Sequence, residues 1–416
     1  MMEYGALLLI LALVGGLYMA WNIGANDVAN AMGTSVGSKA LTLWGAVLVA
    51  AVFEFSGAVF VGGRVTSTIS KGIIDLSVVA GHEFDLACGM TAALFAAGLW
   101  LNIASWRGWP DSTTHSIIGA VIGFGLILGG ITAVDWAKVG TIVISWVVSP
   151  ASGAIIAVLV YQLVVLPIYR SREPAAQLRR IVPVTTGMVF FLLALAMLYK
   201  GLKNLHLDLP VGEALVIAAA TGLVAAGVGH ILIIRRPLRD SKSVLVRFRQ
   251  TEPVFAVLQV ITACYMAFAH GANDVANSVG PLATVVSVVK TGVLTKETAV
   301  PLWVLALGGV GIVTGLATYG HRVIATIGKK ITAITPSRGF SAEFGCATTV
   351  LLCSKLGLPI STTHTLVGAV VGVGLARGIR GLDLRVVRVV ALSWLVTMPF
   401  SAVITILIYL LLKQVL

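Results

Sequence analysis

The feature that most constrains this chain is a polar seven-residue motif that occurs twice inside otherwise apolar sequence. Gly-Ala-Asn-Asp-Val-Ala-Asn stands at 24–30 and again at 271–277. A second motif, Ser-Thr-Thr-His, also occurs twice, at 112–115 and 361–364, each time with a proline two residues before it. Ionisable residues inside membrane segments are costly and usually functional. The duplication therefore predicts one site that two related halves of the chain build together.

The composition indicates a polytopic membrane protein. Hydrophobic residues make up 58% of the 416 residues and charged residues only 11%, whereas soluble proteins carry about 25% charged residues. Several apolar runs approach or exceed the roughly 20 residues that cross a bilayer as a helix. We therefore predict an all-α membrane protein. The net charge of +12 fits basic cytoplasmic loops, and no nucleic-acid partner is expected.

Hydropathy predicts about twelve transmembrane segments. They lie at 4–34, 40–62, 84–105, 112–134, 138–168, 182–200, 211–234, 254–280, 299–319, 341–357, 360–376 and 389–412. Most of the 29 Lys and Arg residues fall in the loops after odd-numbered segments. Because basic loops tend to stay in the cytoplasm, both termini are predicted to lie outside it.

The two halves align as repeats, with the polar motifs offset by 247 and 249 residues. Seven predicted segments precede the second copy, so this odd number inverts it in the membrane. Inverted repeats are typical of secondary transporters, which place their site on broken helices near the membrane midplane. We predict a first repeat at 1–169, a two-segment insert with basic cytoplasmic loops at 170–252 and a second repeat at 253–416, with broken or re-entrant helices.

The seven-residue motif offers oxygen ligands for a hard cation. Asparagine and aspartate are poor helix formers, and a helix broken here would free backbone carbonyls that need a partner. Carboxylate and amide oxygens suit sodium, although a proton on the aspartate, or simple helix capping, would also account for the motif. The predicted sodium ligands are Asn26, Asp27, Asn30, Asn273, Asp274 and Asn277.

The hydroxyl motif suits a tetrahedral oxyanion. Proline fits the first turn of a helix, and a helix N-terminus attracts anions through its free amides. A carboxylate could accept the proton of hydrogen phosphate, which sulfate lacks. Helix capping by serine or threonine is the alternative interpretation. The predicted phosphate ligands are Asp27, Ser112, Thr113, Thr114, Asp274, Ser361, Thr362 and Thr363.

Other polar residues have weaker assignments. His115 and His364 are either ligands or structural supports, with neither interpretation preferred. The equivalent acids Asp85 and Glu343 either coordinate an ion or, as we favour, pair with nearby basic residues. Glu54 has no acidic counterpart in the second half, and His270 is expected to have no special role. The basic residues considered as partners are Arg64, Lys71, Arg322 and Lys329.

The two motif pairs resemble those of the inorganic phosphate transporter (PiT) family, in its compact prokaryotic form. The similarity covers roughly 4–168 and 254–412, and the duplicated seven-residue motif is the hallmark of the family. The resemblance implies cation-coupled phosphate uptake, with the aspartates contacting cation and phosphate, the asparagines the cations, and the hydroxyl clusters the phosphate. Members differ in driving ion, and a few relatives carry sulfate.

We therefore expect a secondary transporter, not an enzyme, that imports inorganic phosphate across the cell membrane with sodium as co-substrate and without a cofactor. Sodium is preferred because several neutral oxygens accompany each aspartate. Proton-coupled symport of phosphate, metal phosphate or sulfate is the main alternative. A lipid-phosphate enzyme using His115 or His364 is much less favoured, as is an anion channel. The sequence leaves monomer and homodimer open.

Overall fold

The computed structural model describes residues 2–62, 73–74, 78, 81–198, 209–238, 240–241, 243–292, 300–329, 334–356, 360–376 and 382–416. Within these ranges the chain is α-helical apart from π-helical turns, one 3-10 turn, short connections and one isolated bridge between Ile74 and Val134. The predicted all-α class is therefore confirmed. Pro359, Arg64 and Lys71 lie outside the described residues.

The helices are numbered in chain order. The first half contains α1 (Met2–Ile23), α2 (Ala29–Gly37), α3 (Leu43–Val61), α4 (Glu83–Arg107), α5 (Thr113–Gly129), α6 (Trp136–Val160) and α7 (Leu166–Arg170). The central insert contains α8 (Pro174–Ala196) and α9 (Val211–Ile234). The second half contains α10 (Val244–Asp274), α11 (Ala276–Thr291), α12 (Leu302–Tyr319), α13 (His321–Lys329), α14 (Pro336–Lys355), α15 (Thr362–Leu375) and α16 (Leu384–Val415).

Each of the twelve predicted segments overlaps one of these helices. Within the described ranges, nine helical runs are long and apolar enough to cross a membrane, and α5 and α15 are shorter apolar helices. Twelve crossings stay a prediction. The ends of α10 and α16 extend several residues beyond the predicted segments, because a helix can continue past the hydrocarbon into polar sequence that hydropathy does not score.

The helices of the two halves pack on each other reciprocally. Helix α1 lies against α12, and α10 lies against α3; likewise α5 packs on α16 and α15 on α6. Glycines allow two of these contacts, because a Cβ on Gly24 would lie 1.8 Å from the Ile312 carbonyl oxygen and one on Gly271 would lie 2.2 Å from that of Glu54. Close backbone approach through small residues is a common way to join membrane helices.

The seven-residue motifs do not end their helices, although they disturb them. Residues Gly24–Val28 form a π-helical turn between α1 and α2, so that the helical run continues from Tyr4 to Gly37. In the second copy, α10 and α11 meet at Val275 within a single run from Leu245 to Thr291. The predicted break is therefore a local irregularity. A π-turn shifts backbone hydrogen bonds by one residue, and such turns are frequent at functional sites.

Gly315 provides a test of this packing. A Cβ here would lie 1.8 Å from the Trp21 carbonyl oxygen, so Gly315→Ala must push α1 and α12 apart. We expect a loss of about 1–3 kcal/mol in stability, as for other overpacked sites, measured by thermal unfolding of the purified protein. Gly227→Ala on α9 is the matched control, because a Cβ there meets nothing within 4 Å. Equal stability of both variants would contradict the close contact.

Candidate substrate and ion site

Each Ser-Thr-Thr-His motif begins a helix in the protein interior. Ser112 caps α5, its hydroxyl oxygen accepting the His115 amide at 3.2 Å. Ser361 caps α15 in the same way, accepting from the His364 amide at 3.1 Å. The capping interpretation therefore applies to both serines. A hydroxyl that accepts a bond keeps its own proton, so each serine can still donate to an anion.

Asp27 lies where the two halves meet, and threonines from both halves donate to it. Its Oδ2 accepts the Thr113 hydroxyl at 2.6 Å and the amide of the same residue at 3.3 Å. Its Oδ1 accepts the Thr363 hydroxyl, from the other half, at 2.9 Å. Asn277 donates to the Thr113 hydroxyl, and Asn30 to the Thr363 hydroxyl, each at 2.9 Å. This network crosses between the halves in both directions.

Asp274 lies beside Asp27 but has a different set of partners. Its Oδ2 accepts the Thr362 hydroxyl at 2.5 Å, and its Oδ1 accepts the Asn273 amide at 2.6 Å. The Nε2 atom of His270 lies 2.6 Å from Oδ2. One side-chain atom each of Asp27, His270 and Asp274 lie within 4.8 Å of one another, and all three residues are buried. The predicted half-sites therefore converge.

The remaining motif threonine, Thr114, breaks the symmetry. By its position in the repeat it corresponds to Thr363, which donates to Asp27. Thr114 instead donates to the Ile360 carbonyl at 3.1 Å and accepts from Asn277 at 3.2 Å. Consequently the two aspartates are not equivalent. Asp27 accepts two hydroxyls and a backbone amide, whereas Asp274 accepts one hydroxyl and a side-chain amide and is paired with His270.

Glu54 and His270 belong to the site, although the sequence analysis gave neither a role. The His270 Nδ1 atom lies 2.9 Å from Glu54 Oε2, and neither side chain is more than 1% exposed. A buried chain thus runs from Glu54 through His270 to Asp274. The repeat places Ile312 and Ile23 at the matching positions. One sequence signal could have identified His270: it is an ionisable residue inside an apolar segment, and it lies four residues before Asp274 on the same helix face.

Two of the predicted sodium ligands, Asn26 and Asn273, form hydrogen bonds to backbone groups in this structure. Asn26 donates to the Trp109 carbonyl at 3.0 Å and accepts the Asp111 amide at 3.0 Å. Asn273 donates to the Ile360 carbonyl at 3.2 Å. These bonds fix the chain just before α5 and α15. The positions of the hydroxyl motifs therefore depend on the seven-residue motifs.

Asn30 is better placed to bind a cation. Its Oδ1 is buried, and it has no hydrogen-bond partner among the described residues. Its amide nitrogen donates to Thr363, which in turn donates to Asp27. A buried oxygen without a donor is costly, and a hard cation is a suitable partner for it.

Asp111 is a further buried acid that the motif analysis did not assign. It accepts from the Trp100 indole and from the Thr397 hydroxyl at 2.7 Å, and its Oδ1 also accepts the Ser112 amide at 2.8 Å. Ile360 holds the equivalent position in the second half. Asp111 therefore anchors the start of α5 to α4 and α16. The equivalent position before α15 has isoleucine and not an acid.

The two motif histidines pack as rings in the interior. Their ring centroids are 4.2 Å apart, and each also contacts a tryptophan, His115 with Trp146 at 3.6 Å and His364 with Trp394 at 3.5 Å. All four residues line a cavity of about 780 Å³ between α5, α6, α15 and α16. Both interpretations left open by the sequence, ligand and structural support, stay predictions.

Glu343 has neutral partners in place of the basic residue that we favoured. Its Oε1 accepts from Thr34 at 2.7 Å, from Ser35 at 2.5 Å and from Gln259 at 3.0 Å. Its Oε2 accepts the Thr262 hydroxyl at 2.7 Å. Four neutral donors surround this buried carboxylate, and ion binding by Glu343 stays a prediction.

Two other residues of the expected pairing, Arg322 and Asp85, have different partners, whereas the side chain of Lys329 lies outside the described part of the structure. Arg322 donates to the Trp106 carbonyl at 3.0 Å. Asp85 lies near the protein surface, where it accepts the Tyr409 hydroxyl at 2.8 Å and lies 3.4 Å from the Lys413 ammonium. Pairing of Glu343 with Arg322 was therefore a wrong expectation. The equivalent acids of the two repeats have diverged in surroundings as well as in type.

Comparison with known proteins agrees with this geometry. The family model described as "Phosphate transporter family" matches residues 23–405. The chain belongs to the phosphate transporter family. It is 44% identical to a Haemophilus influenzae protein named as a phosphate permease, over 99% of this chain and 98% of that one. It is 45% identical to the chloroplastic inorganic phosphate transporter 2-1 of Arabidopsis thaliana, over 94% of this chain and 70% of that one.

A solved structure has the same fold. It is titled "The sodium-dependent phosphate transporter", is 42% identical to this chain, covers 98% of it and superposes with a TM-score of 0.91. Together these matches confirm the resemblance to phosphate transporters and identify the chain as a membrane transporter and not an enzyme.

Thr363→Val tests the bond that joins the halves at Asp27. Valine keeps the shape but leaves the buried carboxylate without one donor, which costs about 1–3 kcal/mol. We expect a rise of about tenfold or more in the phosphate concentration for half-maximal uptake by proteoliposomes. Thr365→Val is the control, because the one hydrogen bond of the Thr365 hydroxyl among the described residues goes to the Ser361 carbonyl, which lies next to its own helix. Identical concentration curves for the two variants would remove Thr363 from the site.

Glu54→Gln tests the buried chain that leads to Asp274. Removing one partner of a buried ion pair costs about 3–5 kcal/mol, so we expect a lower unfolding temperature together with a loss of phosphate uptake. Ser56→Ala on the same helix is the control, since within the described ranges the Ser56 hydroxyl bonds to the Val52 carbonyl of that helix alone. Full uptake with Glu54→Gln would show that the chain does not contribute to transport.

Proposed function

We propose that this protein imports inorganic phosphate across the cell membrane in symport with sodium. The observation that carries the proposal is the position of Asp27, which accepts hydroxyls from Thr113 of its own half and Thr363 of the other. Such a carboxylate can respond to an ion and to the substrate at once. The similar solved protein is named as sodium-dependent, which supports the choice of ion.

The charge of the cluster calls for cations. Asp27, Asp274 and Glu54 bring three carboxylates into one buried region, where His270 is the only basic side chain among their described ion pairs. A phosphate anion would add further negative charge. Burying unpaired charge is very costly, so the anion can enter only together with cations. Sodium, held by Asp27 and the free oxygen of Asn30, is the partner we propose.

The hydroxyl motifs are the proposed phosphate ligands. Ser112 and Ser361 accept the cap bonds and keep their protons for donation. Thr113 and Thr362 donate to the aspartates in this structure, so they would have to exchange a carboxylate for a phosphate oxygen. Substrate and cation binding would then be linked, because freeing an aspartate from its hydroxyls leaves it available to a cation.

Alternating access is the proposed mode of movement. We propose that 1–169 and 253–416 are inverted repeats around the insert 170–252, and that both termini lie outside the cytoplasm. The reciprocal packing of α1 on α12 and of α10 on α3 supports a two-fold relation. Since the site residues are buried, with Asp27 2% exposed and Asp274 0% exposed, the helices around them must separate on one side at a time.

Proton-coupled symport is the second candidate. The chain Glu54–His270–Asp274 favours it, because adjacent buried acids and a histidine can exchange a proton along hydrogen bonds. It competes with sodium for the same carboxylates. The two ions therefore need separate tests on the same preparation.

The test is radiolabelled phosphate uptake into proteoliposomes, with sodium and pH gradients imposed one at a time. We expect an inward sodium gradient at equal pH to drive accumulation, and a pH gradient without sodium to have no effect. Asp27→Asn and Asp274→Asn should each abolish uptake while the protein stays folded, because asparagine removes the charge but changes the volume little.

Accumulation driven by the pH gradient alone would replace sodium by protons. Near-normal uptake by both asparagine variants would exclude the two aspartates from coupling. Flux that needs no cation gradient would point to a channel and contradict symport as a whole.

A further inference from the structure

A long cleft lies outside the motif site, between the central insert and the second half. Helix α9 packs mainly on α8, where Gly187 and Gly222 bring the two backbones together. Helix α10 packs instead on α3 and α14. The space left between α8, α9 and α10 is a cavity of about 800 Å³.

The walls of this cleft are mostly apolar, with Thr186 and Thr221 as the polar exceptions between its ends. Val182 on α8 and Leu258 on α10 form part of the floor and are 6% and 2% exposed. Val228 on α9 and Val257 on α10 stand at the rim and are 51% and 54% exposed. An open apolar cleft on a membrane helix bundle has the surface chemistry of a site for an acyl chain.

One end of the cleft carries two arginines. Arg235 and Arg236 directly follow α9 and line the cavity. Within the described ranges, neither guanidinium has an ion pair or hydrogen bond. With 24 residues, α9 is about 36 Å long, slightly more than the roughly 30 Å of hydrocarbon. The arginines therefore lie near lipid headgroup level, at the side that the basic loops assign to the cytoplasm.

We propose that this cleft binds one anionic phospholipid, with its phosphate on Arg235 and Arg236 and an acyl chain between α9 and α10. Arginine matches phosphate because its planar fork donates two parallel hydrogen bonds. Basic pockets between membrane helices on the cytoplasmic side have this specificity. The proposal is independent of the transported ion and of the motif site.

Native mass spectrometry of the purified full-length protein, with added phosphatidylglycerol or phosphatidylcholine, tests the proposal. We expect one phosphatidylglycerol to be retained in preference to phosphatidylcholine. Its affinity should fall by about tenfold or more in the double variant Arg235→Gln/Arg236→Gln, because each basic residue near the surface contributes to anionic lipid binding. Val228→Trp, which fills the rim, should also weaken retention.

Two matched controls distinguish an effect at the cleft from a general effect of lost charge or added side-chain volume. Arg385→Gln/Arg388→Gln removes the same charge from the start of α16, and Val216→Trp adds the same bulk to α9 outside the cleft, where Val216 is 69% exposed. Both should retain the lipid, as should the protein in excess inorganic phosphate. Equal loss in test and control variants would overturn the proposal. So would equal retention of the two lipids, or displacement of the lipid by inorganic phosphate.

Discussion

The structure depends on the burial of two aspartates where water cannot solvate them. Asp27 and Asp274 are tolerated because hydroxyl, amide and imidazole groups surround them, and the hydroxyl groups come from helices far apart in the sequence. Thr113 follows Asp27 by 86 residues, and Thr363 follows it by 336. The cost of an unpaired buried charge therefore ties the first half to the second. A displacement of either half would leave a carboxylate without donors.

Two glycines allow the helices of the two halves to pack closely enough for these contacts. Helices α1 and α12 cross with Gly24 against the Ile312 carbonyl, and α10 and α3 cross with Gly271 against the Glu54 carbonyl. Both glycines are the first residue of a seven-residue motif. The same residues that start the irregular helical segment thus also bring the partner helix within backbone contact. Packing and polar chemistry are encoded together, which explains why a short motif carries so much of the architecture.

The two halves share a helical architecture but differ in the side chains that contact their aspartates. One aspartate receives threonine hydroxyls from both halves, whereas the other is paired with His270, which Glu54 holds in turn. At the equivalent positions the first repeat has Ile23 and the second has Ile312. An asymmetric pair suits symport, because one carboxylate carries a compensated charge while the other is free to exchange its hydroxyls for an ion. The central insert, together with α10, forms a separate surface, the arginine-ended cleft.

The sequence by itself determined the all-helical membrane class, the approximate positions of the long helices, the phosphate transporter resemblance and the motif residues that gather at the site. These follow from local signals: apolar length, helix-starting serines and identical motifs in both halves. Only the tertiary structure decided which partner each polar group has. Ser112 and Ser361 turned out to cap helices, Glu343 to lie among neutral donors, and Glu54 and His270 to extend the site. Such contacts join residues many tens of positions apart, and a hydropathy pattern records which residues are buried but not which buried groups meet.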